Sequence, residues 1–113
     1  MKEIKAILQQ HVLARVIHAL HELPHFPGLT ILDAAGQGRG RGKGGTLVLN
    51  DESLFFHKKK LLEIIADDAL ASEIVEIIQK TAHTGTHGDG LILVTDIENA
   101  VRIRTGEVSG EAL

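Results

Sequence analysis

The sequence predicts an α+β domain of the ferredoxin-like type, a split βαβ arrangement (βαββαβ) in which two helices cover one face of an antiparallel sheet. Its apolar residues switch between a period of two and a helical period in the order β-α-β-loop-β-α-β(β). A glycine-rich run separates the second strand from the third. At 113 residues the chain is long enough for one core and too short for two, so residues 1–113 are expected to form one domain.

The first half of the chain predicts a strand, a helix and a second strand. Residues 4–9 alternate in polarity, as a strand with one apolar face does. The next apolar residues form a single helical stripe: Val12, Leu13, Val16, Ile17, Leu20 and Leu23. Pro24 and Pro27 end this helix, and residues 28–35 predict the second strand.

The second half predicts a long loop and a repeat of the same pattern. Six of the ten residues 36–45 are glycine, so we expect a flexible loop over about residues 37–56. Residues 58–66 predict a third strand, and Asp67-Asp68 predicts the start of a second helix. The apolar stripe of that helix is Leu70, Ile74, Ile77, Ile78 and Thr81. Residues 91–94 and 100–104 predict two final short strands.

Two helices cover only one face of such a sheet. We expect apolar side chains such as Ile7 and Ile31 to lie on the other face. Because an apolar sheet face is normally covered, this pattern favours oligomerisation without fixing the number of subunits.

The composition excludes several classes of function. A net charge of −3 argues against nucleic-acid binding, which leaves a basic footprint. The absence of cysteine excludes disulfides and thiolate metal sites. Without a long apolar run or a secretory signal, we expect a cytoplasmic protein with no direct membrane insertion. The serines lack a local His–Asp partner pattern, so we expect no enzyme and no catalytic residues.

The last quarter of the chain contains the strongest functional pattern. Residues 84–90 form a glycine-rich loop, in which backbone N–H groups can approach an anion. Arg102 and Arg104 lie two apart in a predicted strand and would point to the same side of it. Arginine guanidinium groups bind phosphate through paired hydrogen bonds, so loop and arginines together predict a polyphosphate site.

The seven histidines allow a rival hypothesis. His11, His18 and His21 fall opposite the apolar stripe of the first helix, where a solvated surface is expected and no local carboxylate or thiolate completes a metal site. The rival hypothesis is a metal-responsive trimer of the same fold that binds a divalent metal through surface histidines. His87 lies within the glycine-rich loop, where its protonated form would donate to phosphate.

The whole chain resembles the PII signal-transduction family of nitrogen regulatory proteins. The motifs that carry the resemblance are Gly28-x-Thr30, Gly36-x-Gly38-Arg39, Thr84-Gly85-x-x-Gly88-Asp89-Gly90, Arg102-Ile103-Arg104-Thr105-Gly106-Glu107 and a terminal Ala112-Leu113. The resemblance implies a homotrimer that binds an adenine nucleotide, ATP or ADP/AMP, as a regulatory ligand in the clefts between subunits. It also implies that the long loop is an effector arm that regulates a target protein, such as a membrane transporter or a metabolic enzyme.

The resemblance also implies roles for individual residues. Thr30 and Ile65 would contact the adenine end of the nucleotide, and Arg102 and Arg104 would reach in from the adjacent subunit. The residues that would approach phosphate are Gly38, Arg39, Gly88, Asp89 and Gly90. Lys59 would lie near the same cleft. The effector-loop residues are Arg41, Lys43 and Phe55, whose loop cations suit an acidic or phosphate-bearing partner.

Three departures mark the chain as a divergent member. Gly40 stands where the family has a glutamine that helps to hold magnesium and 2-oxoglutarate, which leaves the use of Mg²⁺ open. Leu91 stands where the family has a phosphate-binding lysine, which favours ADP or AMP over ATP. A chain without tyrosine excludes control by uridylylation of a loop tyrosine. A slow nucleotide hydrolase and an adaptor without a ligand are two further rival hypotheses.

Overall fold

A computed structural model describes residues 1–37 and 56–108 of the protein. Most of the predicted long loop and the C-terminal residues lie outside the described part. The predictions for Gly38, Arg39, Gly40, Arg41, Lys43, Phe55 and the terminal Ala112-Leu113 therefore fall on residues of which nothing structural is said.

The described residues form four strands and two α-helices. The strands are β1 (Lys2–Gln9), β2 (Thr30–Gly36), β3 (His57–Ala66) and β4 (Gly90–Asp96). The helices are α1 (Leu13–His21), which follows a short 3-10 turn at Gln10–Val12, and α2 (Asp68–Ala82). The sheet has the order β2-β3-β1-β4, and each neighbouring pair is antiparallel. This arrangement confirms the predicted ferredoxin-like fold.

The core lies between the helices and one face of the sheet. Apolar side chains at alternate positions of β1 and β3 meet the apolar stripes of both helices there. The fully buried members with the largest side chains are Ile4, Leu8, Val12, Val16, Leu20, Leu62, Ile64, Ile74 and Ile78. Each of these residues belongs to the apolar face that the sequence periodicity predicts for its strand or helix. Burial of that face therefore stabilises the predicted strands and helices.

The second helix begins where its capping residues predict. The Asp67 carboxylate accepts a hydrogen bond of 2.8 Å from the Leu70 N–H, one of the N–H groups that a first helical turn leaves unpaired. Asp68 in that first turn pairs with the N-terminal ammonium group at 2.6 Å. The hydrogen bond from this ammonium group, its positive charge and the more distant charge of Lys2 hold the pKa of the Asp68 carboxyl below its ordinary value.

The opposite sheet face, here called the open face, carries no helix formed by residues 1–37 or 56–108. Paired residues on neighbouring strands point to the same side, so the register places Leu32, Leu61, Ile7 and Leu91 in one row across it. The expectation for Ile7 is confirmed, since it lies on this face. The expectation for Ile31 is wrong, because Ile31 pairs with the buried Leu62 and so points to the helix side. A one-residue difference in register moves a side chain to the other face.

The last predicted strand is also wrong. Residues 103–105 form a turn, and residues 101 and 108 make an isolated antiparallel bridge in place of a strand over 100–104. The Arg102 N–H donates to the Glu107 carbonyl at 2.8 Å, and the Gly106 N–H donates back to the Arg102 carbonyl at 2.7 Å. Gly106 has a φ of 77°, which favours glycine, and this residue allows the chain to reverse. We call residues 101–108 the arginine turn.

Candidate functional site

The glycine loop, residues 84–90, connects the end of α2 to the start of β4 and is organised around the Asp89 carboxylate. One oxygen of Asp89, Oδ2, accepts hydrogen bonds of 2.8 Å from the backbone N–H groups of both Thr84 and Gly85. The other, Oδ1, accepts from the hydroxyl groups of Thr84 and Thr86. The carboxylate therefore closes the loop on itself.

These hydrogen bonds also control the charge of Asp89. The Thr84 hydroxyl donates most strongly, followed by the Thr84 and Gly85 N–H groups, and together they hold the pKa of the Asp89 carboxyl far below its ordinary value. His83 adds a nearby imidazole, whose Nδ1 lies 3.6 Å from Oδ2. Asp89 is therefore ionised throughout the neutral pH range.

The loop is tied to the sheet at three points. Gly90 has a φ of 107° and lies so close to β1 that a Cβ there would be 1.8 Å from the Ile7 carbonyl oxygen. The Gln9 side-chain amide donates to the Thr86 hydroxyl at 3.0 Å. The Lys59 ammonium group donates to the Gly88 carbonyl at 3.0 Å. The loop is thus held against the ends of β1 and β3.

Two N–H groups of the loop remain for an external acceptor. Within residues 1–37 and 56–108, the backbone N–H groups of His87 and Gly88 make no hydrogen bond. Gly88 lies against Lys59, whose ammonium group donates to the Gly88 carbonyl, and His87 is the residue before it, so a cation and two free donors belong to one short segment. Such a group of donors fits an anion, with a phosphate oxygen as the simplest acceptor.

Lys59 also connects the glycine loop to a cleft. An open cleft of about 560 Å³ lies at the ends of β2 and β3, lined by Gln10, residues 33–35 and residues 58–60. On one side of it Lys60 forms an ion pair with Asp33, which lowers the pKa of the Asp33 carboxyl. Lys59 therefore lines this cleft and also contacts the glycine loop. Its predicted position near a nucleotide cleft stays a prediction.

The two residues predicted at the adenine end lie together on the open face. Thr30 pairs with Glu63, and Ile65 is the next residue of β3 on that face, so the two are diagonal neighbours on adjacent strands. Ile65 is 39% exposed, which leaves room for a ring to pack on it. Lys59 lies four residues along β3 from Glu63, about 13 Å away at 3.3 Å per residue.

Glu63 belongs to this surface although it was absent from the sequence predictions. Its register partners are Thr30 on β2 and Lys5 on β1, and its half-buried carboxylate lies between the two predicted adenine contacts. A carboxylate there can accept hydrogen bonds from hydroxyl or amino groups. The sequence feature that could have identified Glu63 is the alternation of β3, which places residues 59, 61, 63 and 65 on one face.

Arg102 and Arg104 are not brought to the glycine loop within one chain. The loop lies at the start of β4, whereas the arginine turn follows its other end, and β4 spans about 20 Å. Because residues 103–105 form a turn, the inference that both arginines point to one side of a strand does not hold. Both arginine side chains are exposed.

Leu91, the residue that replaces a lysine of the resembled family, lies on the open face next to the loop. It pairs with Ile7 and is 60% exposed. It brings an apolar group where a cation would add positive charge beside the glycine loop. Lys59 is therefore the cation that the structure places in contact with this loop.

Among the residues that the structure describes, the histidines do not assemble into a metal site. His18 contacts Glu22 one turn along α1 at 3.2 Å, and the His21 ring packs at 5.6 Å from the ring of Phe26. In the described part of the chain, no three histidine or carboxylate side chains come together in a set able to hold a metal ion.

Neither helix of the described residues has the length and apolar character needed to cross a bilayer.

Comparison with known proteins gives a consistent result. The sequence model of one family, described as nitrogen regulatory protein P-II, matches residues 1–107. The chain is 41% identical over the full length of both sequences to a protein of Azospirillum brasilense named nitrogen regulatory protein P-II, and 41% identical to the protein of that name from Rhodospirillum rubrum. A third protein of that name, from Bradyrhizobium diazoefficiens, is 37% identical, again over both full lengths.

Proposed function

Because the chain belongs to the nitrogen regulatory protein P-II family, we propose that it is a signal-transduction protein that binds an adenine nucleotide and passes the ligand state to a partner protein. Membership confirms the resemblance identified from the sequence motifs. It also confirms a regulatory protein in place of an enzyme. The rival hypothesis of a metal-responsive trimer is not favoured by this family assignment.

The observation that carries the nucleotide proposal is the glycine loop and its link to the open face. The loop offers two free N–H groups beside the Lys59 ammonium group, and these suit phosphate. The same sheet face carries Thr30 and Ile65 about 13–20 Å farther along, where an apolar ring has room to pack. An elongated ligand with an anionic end and an aromatic end matches this surface.

The single chain supplies only part of such a site, and we propose that a neighbouring subunit completes it. Arg102 and Arg104 lie beyond the far end of β4 from the glycine loop, so one chain does not bring both groups to one phosphate. The open face also exposes an apolar row from Leu32 to Leu91. A homotrimer with the ligand between subunits accounts for both features.

The same proposal extends to the partner and the cellular location. Residues 37–56 would form the arm that contacts a regulated transporter or metabolic enzyme, with Arg41, Lys43 and Phe55 as contact residues. The protein would act in the cytoplasm. ADP or AMP would bind better than ATP, because Leu91 reduces the positive charge available to a third phosphate.

Calorimetric titration of the full chain with AMP, ADP and ATP tests the nucleotide proposal. We expect Arg102→Ala and Arg104→Ala each to weaken binding by about 1.5–3 kcal/mol, the range for a hydrogen bond to a charged group. Lys80→Ala is the matched control, because Lys80 is an exposed cation that pairs with Glu76 on α2. Unchanged affinity in both arginine variants would remove them from the site.

Mixed oligomers test whether the arginines serve a neighbour. Chains with Arg102→Ala and Arg104→Ala are co-expressed with chains carrying Lys59→Met. If each site combines one chain's loop with another chain's arginines, the mixture recovers intact sites that neither parent has. Recovery of none, in oligomers shown by sedimentation to contain both chains, would show that the arginines do not complete a neighbour's loop.

A further inference from the structure

Asp89 lies inside the loop expected to hold phosphate, although its own charge opposes an anion. Its carboxylate lone pairs are already taken by groups of its own loop, the N–H groups of Thr84 and Gly85 and the hydroxyls of Thr84 and Thr86. The Gln9 amide lies 3.5 Å from Oδ1 as well. A carboxylate so fully engaged has little capacity to contact a ligand.

We propose that Asp89 is a positioning residue of the anion site, which holds residues 84–89 in the binding shape before any ligand arrives and leaves the His87 and Gly88 N–H groups for the phosphate. This inference rests on the proposed nucleotide function. It divides the loop into two N–H groups that donate to Asp89, at Thr84 and Gly85, and two that make no hydrogen bond within the described residues, at His87 and Gly88. The first two are already satisfied, so the last two receive the ligand.

The gain from such a device is lower ordering cost on binding. A glycine-rich loop has many accessible conformations, and a ligand that had to order it would lose affinity accordingly. The ionised carboxylate orders the loop through charge-assisted hydrogen bonds, which are stronger than neutral ones. The tie between Lys59 and the Gly88 carbonyl adds a second constraint next to the two free N–H groups.

Two substitutions at Asp89 separate positioning from direct contact because only one of them removes the shape of the loop together with the charge. In Asp89→Asn the amide oxygen still accepts from a backbone N–H and the amide nitrogen donates to the threonine hydroxyl oxygens, so most of the loop shape is kept while the negative charge is removed. In Asp89→Ala both the charge and the shape are lost. Asp96→Asn and Asp96→Ala are the matched controls, because Asp96 is an exposed carboxylate at the other end of β4.

The binding experiment titrates each full-length variant with ADP. We expect Asp89→Ala to weaken ADP binding by about tenfold or more, and Asp89→Asn to stay within about threefold of the unsubstituted protein or to bind more tightly. The Asp96 variants should bind as the unsubstituted protein does. An equal loss in Asp89→Asn and Asp89→Ala, with a Thr84 or Gly85 amide still protected from exchange in Asp89→Asn, would identify a direct role for the charge. No loss in Asp89→Ala would show that the loop needs no organiser. Either result overturns the proposal.

A second measurement does not depend on nucleotide binding. Hydrogen exchange by NMR on the ligand-free protein should show slow exchange of the Thr84 and Gly85 amides, preserved in Asp89→Asn for at least one of them and lost in Asp89→Ala. Fast exchange of both amides in the unsubstituted protein overturns the proposal whatever the protein binds. If the unsubstituted protein binds none of AMP, ADP and ATP, the nucleotide function fails, and positioning toward a phosphate fails with it even where the amides are protected.

Discussion

The two segments that flank β4 differ in how far one chain completes them. The glycine loop is closed by Asp89 and tied to β1 and β3 through Gln9, Lys59 and the close approach of Gly90. The arginine turn is held by its own two backbone hydrogen bonds, and Thr105 donates to Glu107 within it at 2.8 Å. The apolar side chains at 101, 103 and 108 are all at least half exposed. The glycine loop is therefore ordered by contacts within the chain. The arginine turn exposes apolar side chains that no other part of the described chain covers.

This difference indicates where the binding free energy is set. A loop that is ordered before binding adds little entropic cost to ligand capture, whereas a turn that gains contacts only in an assembly couples binding to association. The contribution of the glycine loop to ligand affinity would then depend on the fold of a single chain. The contribution of the arginine turn would depend on the concentration of subunits.

The largest expected effect tests the tie of the glycine loop to β1. Gly90→Ala places a Cβ 1.8 Å from the Ile7 carbonyl oxygen in a backbone conformation that favours glycine, so we expect the free energy of unfolding to fall by about 3 kcal/mol or more. Gly85→Ala and Gly106→Ala are matched controls, because each has a positive φ but open space around its Cβ. These should lose about 1–2 kcal/mol. Urea unfolding of the three variants gives the order.

Equal losses in the three variants would contradict the comparison. They would mean that the positive φ alone sets the cost and that the glycine loop is no more closely packed than the arginine turn. A loss confined to Gly90→Ala would show that the close approach to β1 dominates.

The next effect tests whether the arginine turn docks on another subunit. Ile103 is fully exposed in the single chain, so Ile103→Asn should leave the folding of a monomer unchanged. If the side chain is buried in the assembly, we expect the substitution to weaken association by about 1.5–3 kcal/mol per contact, the range for burying such a side chain. Sedimentation equilibrium measures this, with Ser72→Asn on the exposed side of α2 as control.

Assembly that is equally stable in Ile103→Asn and in Ser72→Asn would show that the arginine turn remains exposed to solvent. The proposed completion of the site by a neighbour would then need another contact, since Arg102 and Arg104 extend from the same turn.

The sequence predicted the fold better than it predicted the arginine turn, for a physical reason. The strands and helices follow apolar periodicity, which burial of residues such as Ile4 and Ile74 enforces. Residues 100–104 also alternate in polarity, yet no neighbouring strand of the described chain pairs with them, so the segment turns at 103–105. Alternation predicts a strand only where a partner strand is available.

In the candidate site, too, some features were predicted from the sequence and others were not. The glycine spacing predicted the loop. Thr30 and Ile65, which the resemblance assigns to the adenine end, lie together on the open face, and their contact with adenine stays a prediction. The part played by Asp89 was not predictable from its motif, because an Asp-Gly pair is equally typical of a turn and of a ligand contact. Only the distances to the Thr84 and Gly85 N–H groups show that its carboxylate is directed into the loop. The register error at Ile31 arose because Ile31 and Leu32 are adjacent apolar residues, so the sequence does not show which of the two faces the helices.

The smallest expected effect concerns pH and the charge of Asp89. An unfolded aspartate titrates near about pH 3.9, and hydrogen bonds from Thr84 and Gly85 lower the pKa of Asp89 in the folded loop. Between these two values the unfolded chain binds more protons, so stability rises with pH there. The contribution of Asp89 is complete above about pH 5 and is lost as the pH falls through the folded pKa. In Asp89→Asn this dependence is absent, so its melting temperature should fall less steeply between about pH 5 and pH 3.

The other carboxyl groups of lowered pKa, Asp33, Asp68 and Glu76, act equally in both proteins and cancel in the difference. Parallel pH profiles of the two proteins would show that the carboxylate does not organise the folded loop, and the contrast with the arginine turn would then rest on Gly90, Gln9 and Lys59 alone.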